Sequence, residues 1–278
     1  MADRSMLGFA TTEMMKMPGV DLKFITDFLL HYMLASLRIG SFLLSAPLFG
    51  ARWMPLQVRV IMAFALASGV VLQVPPFEPE FLTTSTGIAL ILVEIAVGLS
   101  AGLTLTIWFA AVLLAGEKIA SSAGLGYAAQ VDPSTGAQTP VVSQILYLFL
   151  LVIFLSIDGH LIALSLMLES YKILPVGTPV AGEVLIAAGI SAAGSMFLAA
   201  TIIMLPITMV LLLINVTIGI ITRSAPQLNL FSFGFPISML AVFVVMYFSV
   251  AAFGHSSESL IQSALGSIET LLGDLADG

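Results

Sequence analysis

Three features of the sequence predict an all-α, polytopic, membrane-inserted fold. Hydrophobic residues make up 59% of the 278 residues and charged residues only 9%, against roughly 25% charged in an ordinary soluble domain. Uncharged runs of roughly 20 residues recur, the length that carries a helix across about 30 Å of hydrocarbon. Segments of about 10 residues alternating in polarity, the mark of a transmembrane barrel, are not found. Lipid offers the backbone no hydrogen-bond partner, so helices remain, arranged as membrane-inserted hairpins.

The first apolar segment spans 28–48, contains the single charge Arg38, and ends at Pro47-Leu48-Phe49-Gly50. The second spans 56–74 and runs into Pro75-Pro76-Phe77-Glu78-Pro79-Glu80, a rigid acidic turn that cannot continue a helix. The third spans 87–116 and is interrupted only by Glu94; a run that long must tilt, kink or protrude. Residues 117–140 carry Gly124, Gly126, Asp132, Pro133, Gly136 and Pro140 among small apolar residues, which predicts a buried or lumen-facing loop. A fourth segment, 141–157, meets Asp158-Gly159-His160, where Gly159 is expected as a C-cap before a shorter helix to about Leu174. Pro175-Val176-Gly177-Thr178-Pro179 then forms a loop.

From Val184 to Thr222 there is no charge at all, and a straight helix of that run measures about 58 Å. It is expected to bend or project, with Pro206 and the small residues 187–195 as adjustment points. A last segment, 235–253, follows a loop at 224–234. The tail then carries Leu260, Ile261, Ala264, Leu265, Ile268, Leu271, Leu272 and Leu275 as a helical apolar stripe whose polar face holds only acids. That charge argues against anionic lipid and for docking on a neighbouring protein surface. If the five segments alternate, Arg52, Arg59, Lys118 and Arg223 fall on one side, which the positive-inside rule places in the cytoplasm, against the weight of Lys16 and Lys23 in the N-terminal tail.

Composition also excludes function classes. No cysteine is present, so disulfides, thiolate metal sites and cysteine nucleophiles are out. Nine Lys and Arg against sixteen Asp and Glu, a net charge of −7, cannot build a nucleic-acid stripe. The first 27 residues lack the basic start, apolar stretch and cleavage site of a signal peptide, and none is expected. A phosphate-binding loop, a Gly-x-Ser-x-Gly elbow and a His-Glu-x-x-His motif are all missing, so neither nucleotide hydrolysis nor an intramembrane hydrolase is expected. No cofactor is expected.

The charges inside apolar segments are the candidate sites. Arg38 in the membrane interior costs roughly 2.5–3.5 kcal/mol on insertion scales, so it requires a partner or a polar cavity. An interhelical structural pair is preferred to a pore role, and Glu94 is read the same way. Gly98 and Gly102 follow Glu94 at spacings of four, which lines all three along one helix face and marks a close helix contact. Asp158 and His160 have the chemistry of a proton relay, set against capping and turn formation around Gly159. His31 and His255 lack metal-ligand spacing, and no metal is expected. The 14 methionines suit a compliant seal around a moving chain, and suit core filling equally.

Arg38-Ile39-Gly40, Pro47-Leu48-Phe49-Gly50, Pro55 and Arg59 resemble the opening signature of the FliR family, the flagellar biosynthetic proteins of the type III export gate. Ala115-Gly116-Glu117, Gly124-Leu125, Tyr127-Ala128, Val131-Asp132-Pro133, Gly159-His160, Leu174-Pro175-Val176-Gly177, Arg223-Ser224-Ala225-Pro226-Gln227-Leu228 and Gly234-Phe235-Pro236 match the same family in order. Each motif is weak by itself, and the ordered series over residues 38–236 is specific. Virulence injectisomes carry a close relative.

The resemblance implies a subunit that joins FliP and FliQ, and further membrane components, in a helical gate for unfolded substrates crossing the bacterial inner membrane. It implies an N-terminal tail at 1–27, a FliP-like part at 28–180, a FliQ-like hairpin at 181–257 and an amphipathic tail at 258–278. A luminal plug loop is implied at 115–136, with Gly124, Gly126, Tyr127, Gln130, Asp132 and Pro133 as gate residues. Gln130 stands where some members place a second aromatic, and Lys118 where some place an apolar residue. The competing reading is a secondary transporter moving a small solute through Arg38, Glu94, Asp158 and His160. Paired broken helices in two repeats would support it, but the two halves do not align.

Overall fold

The computed structural model describes residues 22–74, 84–124, 141–225 and 234–277. Its elements are α1 (Leu22–Ser45), α2 (Leu56–Ala67), a 3₁₀ turn (Val71–Gln73), α3 (Ser85–Ser122), α4 (Val141–Ser156), α5 (Gly159–Ile173), α6 (Gly182–Ser224) and α7 (Phe235–Asp277). The fold is all-α, as the composition predicts. Four helices, α1, α3, α6 and α7, are long and apolar enough to cross a bilayer, and α4 with α5 forms a fifth candidate broken by a 64° bend.

α3 is the hub. Its 38 residues bury one face after another against α1, α4, α6 and α7. Thr84 caps its start by accepting a hydrogen bond from the Gly87 amide at 3.2 Å. Contacts fix the directions of its neighbours. Arg38 lies at Glu94 and Ser45 at Leu99, so α1 runs parallel to α3. Asn215 lies at Ser122 and Ser195 with Thr104's neighbour Trp108, so α6 also runs parallel. α4 returns antiparallel, with Ser143 at Gly116 and Phe154 at Phe109, and so does α7, with Ser238 joined through Asn215 to Ser122 and Ser267 bonded to Trp108. Arg59, Lys118 and Arg223 accordingly lie toward the same end of the bundle.

Four expectations need correction. The apolar run 56–74 is not one crossing helix: α2 has 12 residues, about 18 Å, and turns at Ser68-Gly69, where Gly69 bonds the Leu66 carbonyl and Val70 the Ala67 carbonyl. The loop expected from residue 115 begins later. Residues 115–122 are the last two turns of α3, because Ala115, Ile119 and Ala120 are buried while Glu117 and Lys118 reach solvent from the opposite side. Gly159 is not a left-handed cap: Asp158 takes the positive φ of 56° and Gly159 opens α5, pressed against the Phe154 ring.

The fourth correction concerns the tail. α7 is continuous through residue 257, and the stripe from Leu260 to Leu275 is buried against helices of the same chain. Intramolecular packing on α3 and α5 therefore occupies the surface that was expected to meet a neighbour. α6 likewise continues through Pro206 as one helix.

Candidate functional site

The sequence places Arg38 in α1 and Glu94 in α3, each inside a long run without other charges, and the parallel packing of those helices brings them together. Arg38 Nε donates to Glu94 Oε2 at 2.8 Å and Arg38 Nη2 to Glu94 Oε1 at 3.1 Å. The side chains are 0% and 1% exposed. A planar guanidinium meeting both carboxylate oxygens is the strongest geometry an ion pair adopts.

The rest of the guanidinium is satisfied by α5 and the residue after it. Nη1 donates to Ser170 Oγ at 3.0 Å and to the Leu174 carbonyl at 2.9 Å. The ring of Tyr171 lies 4.4 Å from Arg38 Cζ, close enough for cation–π attraction in a desolvated setting. Tyr171 Oη then donates back to the Ala35 carbonyl on α1 at 2.6 Å. One arginine thus ties α1, α3 and α5 at a single point.

Just beyond the pair, α1 and α3 touch through their backbones. A methyl built on Gly98 would overlap Ser41 Oγ and the Arg38 carbonyl oxygen, and one on Gly102 would overlap Ser45 Oγ and crowd the Phe42 carbonyl at 2.9 Å. Ser45 Oγ reaches the Leu99 carbonyl at 3.2 Å, and Thr106 Oγ1 the Ser45 carbonyl at 2.6 Å. Small residues admit this approach, and hydroxyls hold it by bonding carbonyls of the facing helix.

Asp158 and His160 are not among the hydrogen-bond partners of Arg38 or Glu94. Asp158 sits at the α4–α5 bend with no cap bond from its side chain. His160 packs edge-on to Phe154, its ring Nδ1 buried without a hydrogen-bond partner among the described residues. Among the described residues, no three His, Asp or Glu side chains converge as a metal-ligand set. Of the gate residues, Gly124 terminates α3 with a φ of 81°; Gly126, Tyr127, Gln130, Asp132 and Pro133 lie outside the described residues.

Sequence reasoning missed several contributors. Ser170, Tyr171 and Leu174 are more than 130 positions from Arg38, and nothing local marks them as its partners. Gly116 was available: it lies a whole number of helical turns beyond Gly98 on α3, and a methyl there would crowd Ser143 N and Oγ on α4 at 2.9 Å. Asn215 was also available, as the one amide in the uncharged run of α6.

Fold and site define a class: a polytopic helical membrane protein in which a buried Arg38–Glu94 pair ties the helices together. The family model described as bacterial export proteins, family 1, matches residues 29–264. The flagellar biosynthetic protein FliR of Escherichia coli is 32% identical over 206 residues, covering 73% of this chain and 77% of the relative. FliR of Bacillus subtilis is 31% identical over 225 residues, covering 80% and 86%. The surface presentation of antigens protein SpaR of Shigella flexneri is 28% identical over 213 residues, covering 71% and 78%. The chain belongs to the FliR family of bacterial export proteins.

Proposed function

We propose that the chain is a non-enzymatic subunit of the flagellar type III export gate in the bacterial inner membrane. It forms, with FliP-like and FliQ-like subunits, the conduit through which unfolded export substrates pass. Family membership supplies the system, and the α6–α7 hairpin carries the argument for an assembly. α6 has 43 residues, about 64 Å of helix, and buries only a narrow stripe at Ala192, Ala200, Ile203, Ile207, Leu211 and Ile218. The remaining surface is apolar, with Ile190 70% and Leu213 68% exposed. A bilayer core of about 30 Å covers less than two thirds of that length even for a helix tilted by 40°. Other subunits cover the rest.

In this reading the Arg38–Glu94 clamp holds the first part of the chain rigid, and no residue of the chain performs chemistry. The stretch 124–133 forms part of the closed gate: Gly124 and Gly126 permit tight turns, Tyr127 offers a rigid ring and Pro133 stiffens the exit. The transporter reading requires Arg38 and Glu94 to be accessible to solute, and their mutual saturation and burial speak against it.

Two experiments test the proposal. Purification of the tagged chain from its native membrane is expected to bring FliP-like and FliQ-like partners; a monodisperse single chain that transports a solute in liposomes would overturn it. Deletion of residues 124–128 is expected to leave assembly intact and raise ion conductance across a bilayer. An assembled complex as tight as wild type would remove this stretch from the barrier, and Tyr127→Ala, expected to leak less than the deletion, separates the ring from the backbone.

A further inference from the structure

We infer that Asn215 is a positioning residue that locks the end of α3, where the chain enters the gate stretch, onto the turn end of the α6–α7 hairpin. This rests on the reading of 124–133 as a barrier. The last carbonyls of a helix have no partner within it. At the end of α3, Ala123 N bonds the Ile119 carbonyl at 3.1 Å and Gly124 N the Ser121 carbonyl at 3.0 Å, the latter made possible by the left-handed Gly124. The Ser122 carbonyl is instead taken by another element: Asn215 Nδ2 donates to it at 2.9 Å, across 93 positions of sequence.

The second half of the amide is fixed as well. Ser238, in the first turn of α7 and 3% exposed, donates to Asn215 Oδ1 at 3.0 Å. A carbonyl can only accept, so the side-chain nitrogen must face Ser122 and the oxygen must face Ser238, leaving one orientation. The threonines of the same uncharged run behave differently. Thr201, Thr208, Thr217 and Thr222 each donate to a carbonyl of their own helix, whereas Asn215 spans three elements. Asn215 is itself exposed, so its weight lies in the bonds it makes across helices, which join the exit of α3 to both arms of the hairpin. Movement of the hairpin therefore moves Gly124, the first residue of the gate stretch.

The lock can be read without the gate. The chain has no cysteine of its own, so Ser121→Cys and Leu240→Cys, both at exposed positions, place spin labels on α3 and α7 of the complex purified with its partners, with the complex lacking both substitutions as background. A single narrow distance is expected for the otherwise wild-type chain, and loss of that narrow component for Asn215→Leu. Ser238→Ala, a milder change that keeps the fold testable, is expected to broaden the distance less. The double variant is expected to match Asn215→Leu, because Ser238 acts through Asn215. Retention of the narrow distance in Asn215→Leu, or additive broadening in the double variant, would overturn the lock. Conductance then tests positioning: Asn215→Leu is expected to leak, by no more than the deletion of 124–128. If the deletion leaks and Asn215→Leu does not, the positioning role is wrong. If the deletion itself stays tight, the barrier reading fails while the label distances still decide the lock.

Discussion

Arg38 and Glu94, 56 residues apart in sequence, meet through two hydrogen bonds of 2.8 and 3.1 Å with neither side chain in contact with solvent. The pair neutralises the only charges inside the apolar cores of α1 and α3, just before Gly98 and Gly102 let those helices touch.

Removing one member leaves the other buried and unpaired, which costs about 3–5 kcal/mol in a buried pair. Glu94→Ala is expected to lower the amount of folded chain in the membrane sharply. Replacing both charges by leucine is expected to be better tolerated than either single change, because no charge is left behind. Reversal, Arg38→Glu with Glu94→Arg, is expected to fail, since Ser170, the Leu174 carbonyl and the Tyr171 ring are arranged for a guanidinium on α1. Membrane levels and protease resistance of these three variants measure this; a charge reversal as stable as wild type would show that only net neutrality matters.

Gly98→Ala and Gly102→Ala each insert a methyl where the α1 backbone already stands. Overpacking of this kind costs about 1–3 kcal/mol. Gly266→Ala, with open space around the new methyl, is the control. Thermal denaturation in detergent is expected to order the variants with Gly266→Ala near wild type and the other two below it.

Leu265→Asp and Leu272→Asp place carboxylates on a stripe that packs within the chain. The expected loss is therefore in the chain's own folding, with several kcal/mol of desolvation uncompensated, and it appears even when partners are in excess. If the variants accumulate normally and only the complex is lost, the stripe serves a neighbour after all.

The all-α membrane class and the crossing runs of α1, α3, α6 and α7 were legible because an uncharged run and its length depend only on composition. Where the reading went astray, tertiary packing decided. Ser68-Gly69 cuts a run that hydropathy joins, and Ala115, Ile119 and Ala120 pull residues 115–122 into α3 although glycine and charge there suggest a loop. An acid-faced tail looked free because its polar side was visible and its partner, the far flank of α3, was over 140 residues away. A lone charge in an apolar run announces that a partner exists and says nothing of which; Ser170 and Tyr171 carry no local signature, and the Leu174-Pro175-Val176-Gly177 motif does not name Arg38 as its partner.

The length of α6 gives the last prediction. Lipid can cover about 20 residues of an upright helix, or roughly 26 at a tilt of 40°, and α6 has 43. Its exposed apolar side chains therefore divide into a set facing lipid and a set facing protein. Lysine placed singly at Ile186, Phe197, Leu205, Leu213 and Ile220, all more than half exposed, reads the boundary. Within the lipid-facing window each lysine costs up to about 2.5–3.5 kcal/mol of insertion, and the chain is expected to reach the membrane poorly. Outside it, insertion is expected to be normal and recovery of the complex to fall, because a charge then sits against an apolar partner surface. Glycosylation mapping of insertion and co-purification of partners separate the two effects at each position. If all five lysines impair insertion equally, lipid covers the whole helix and the hairpin needs no further subunit; a contiguous window of insertion defects, flanked by assembly defects, assigns the remainder of α6 to its partners.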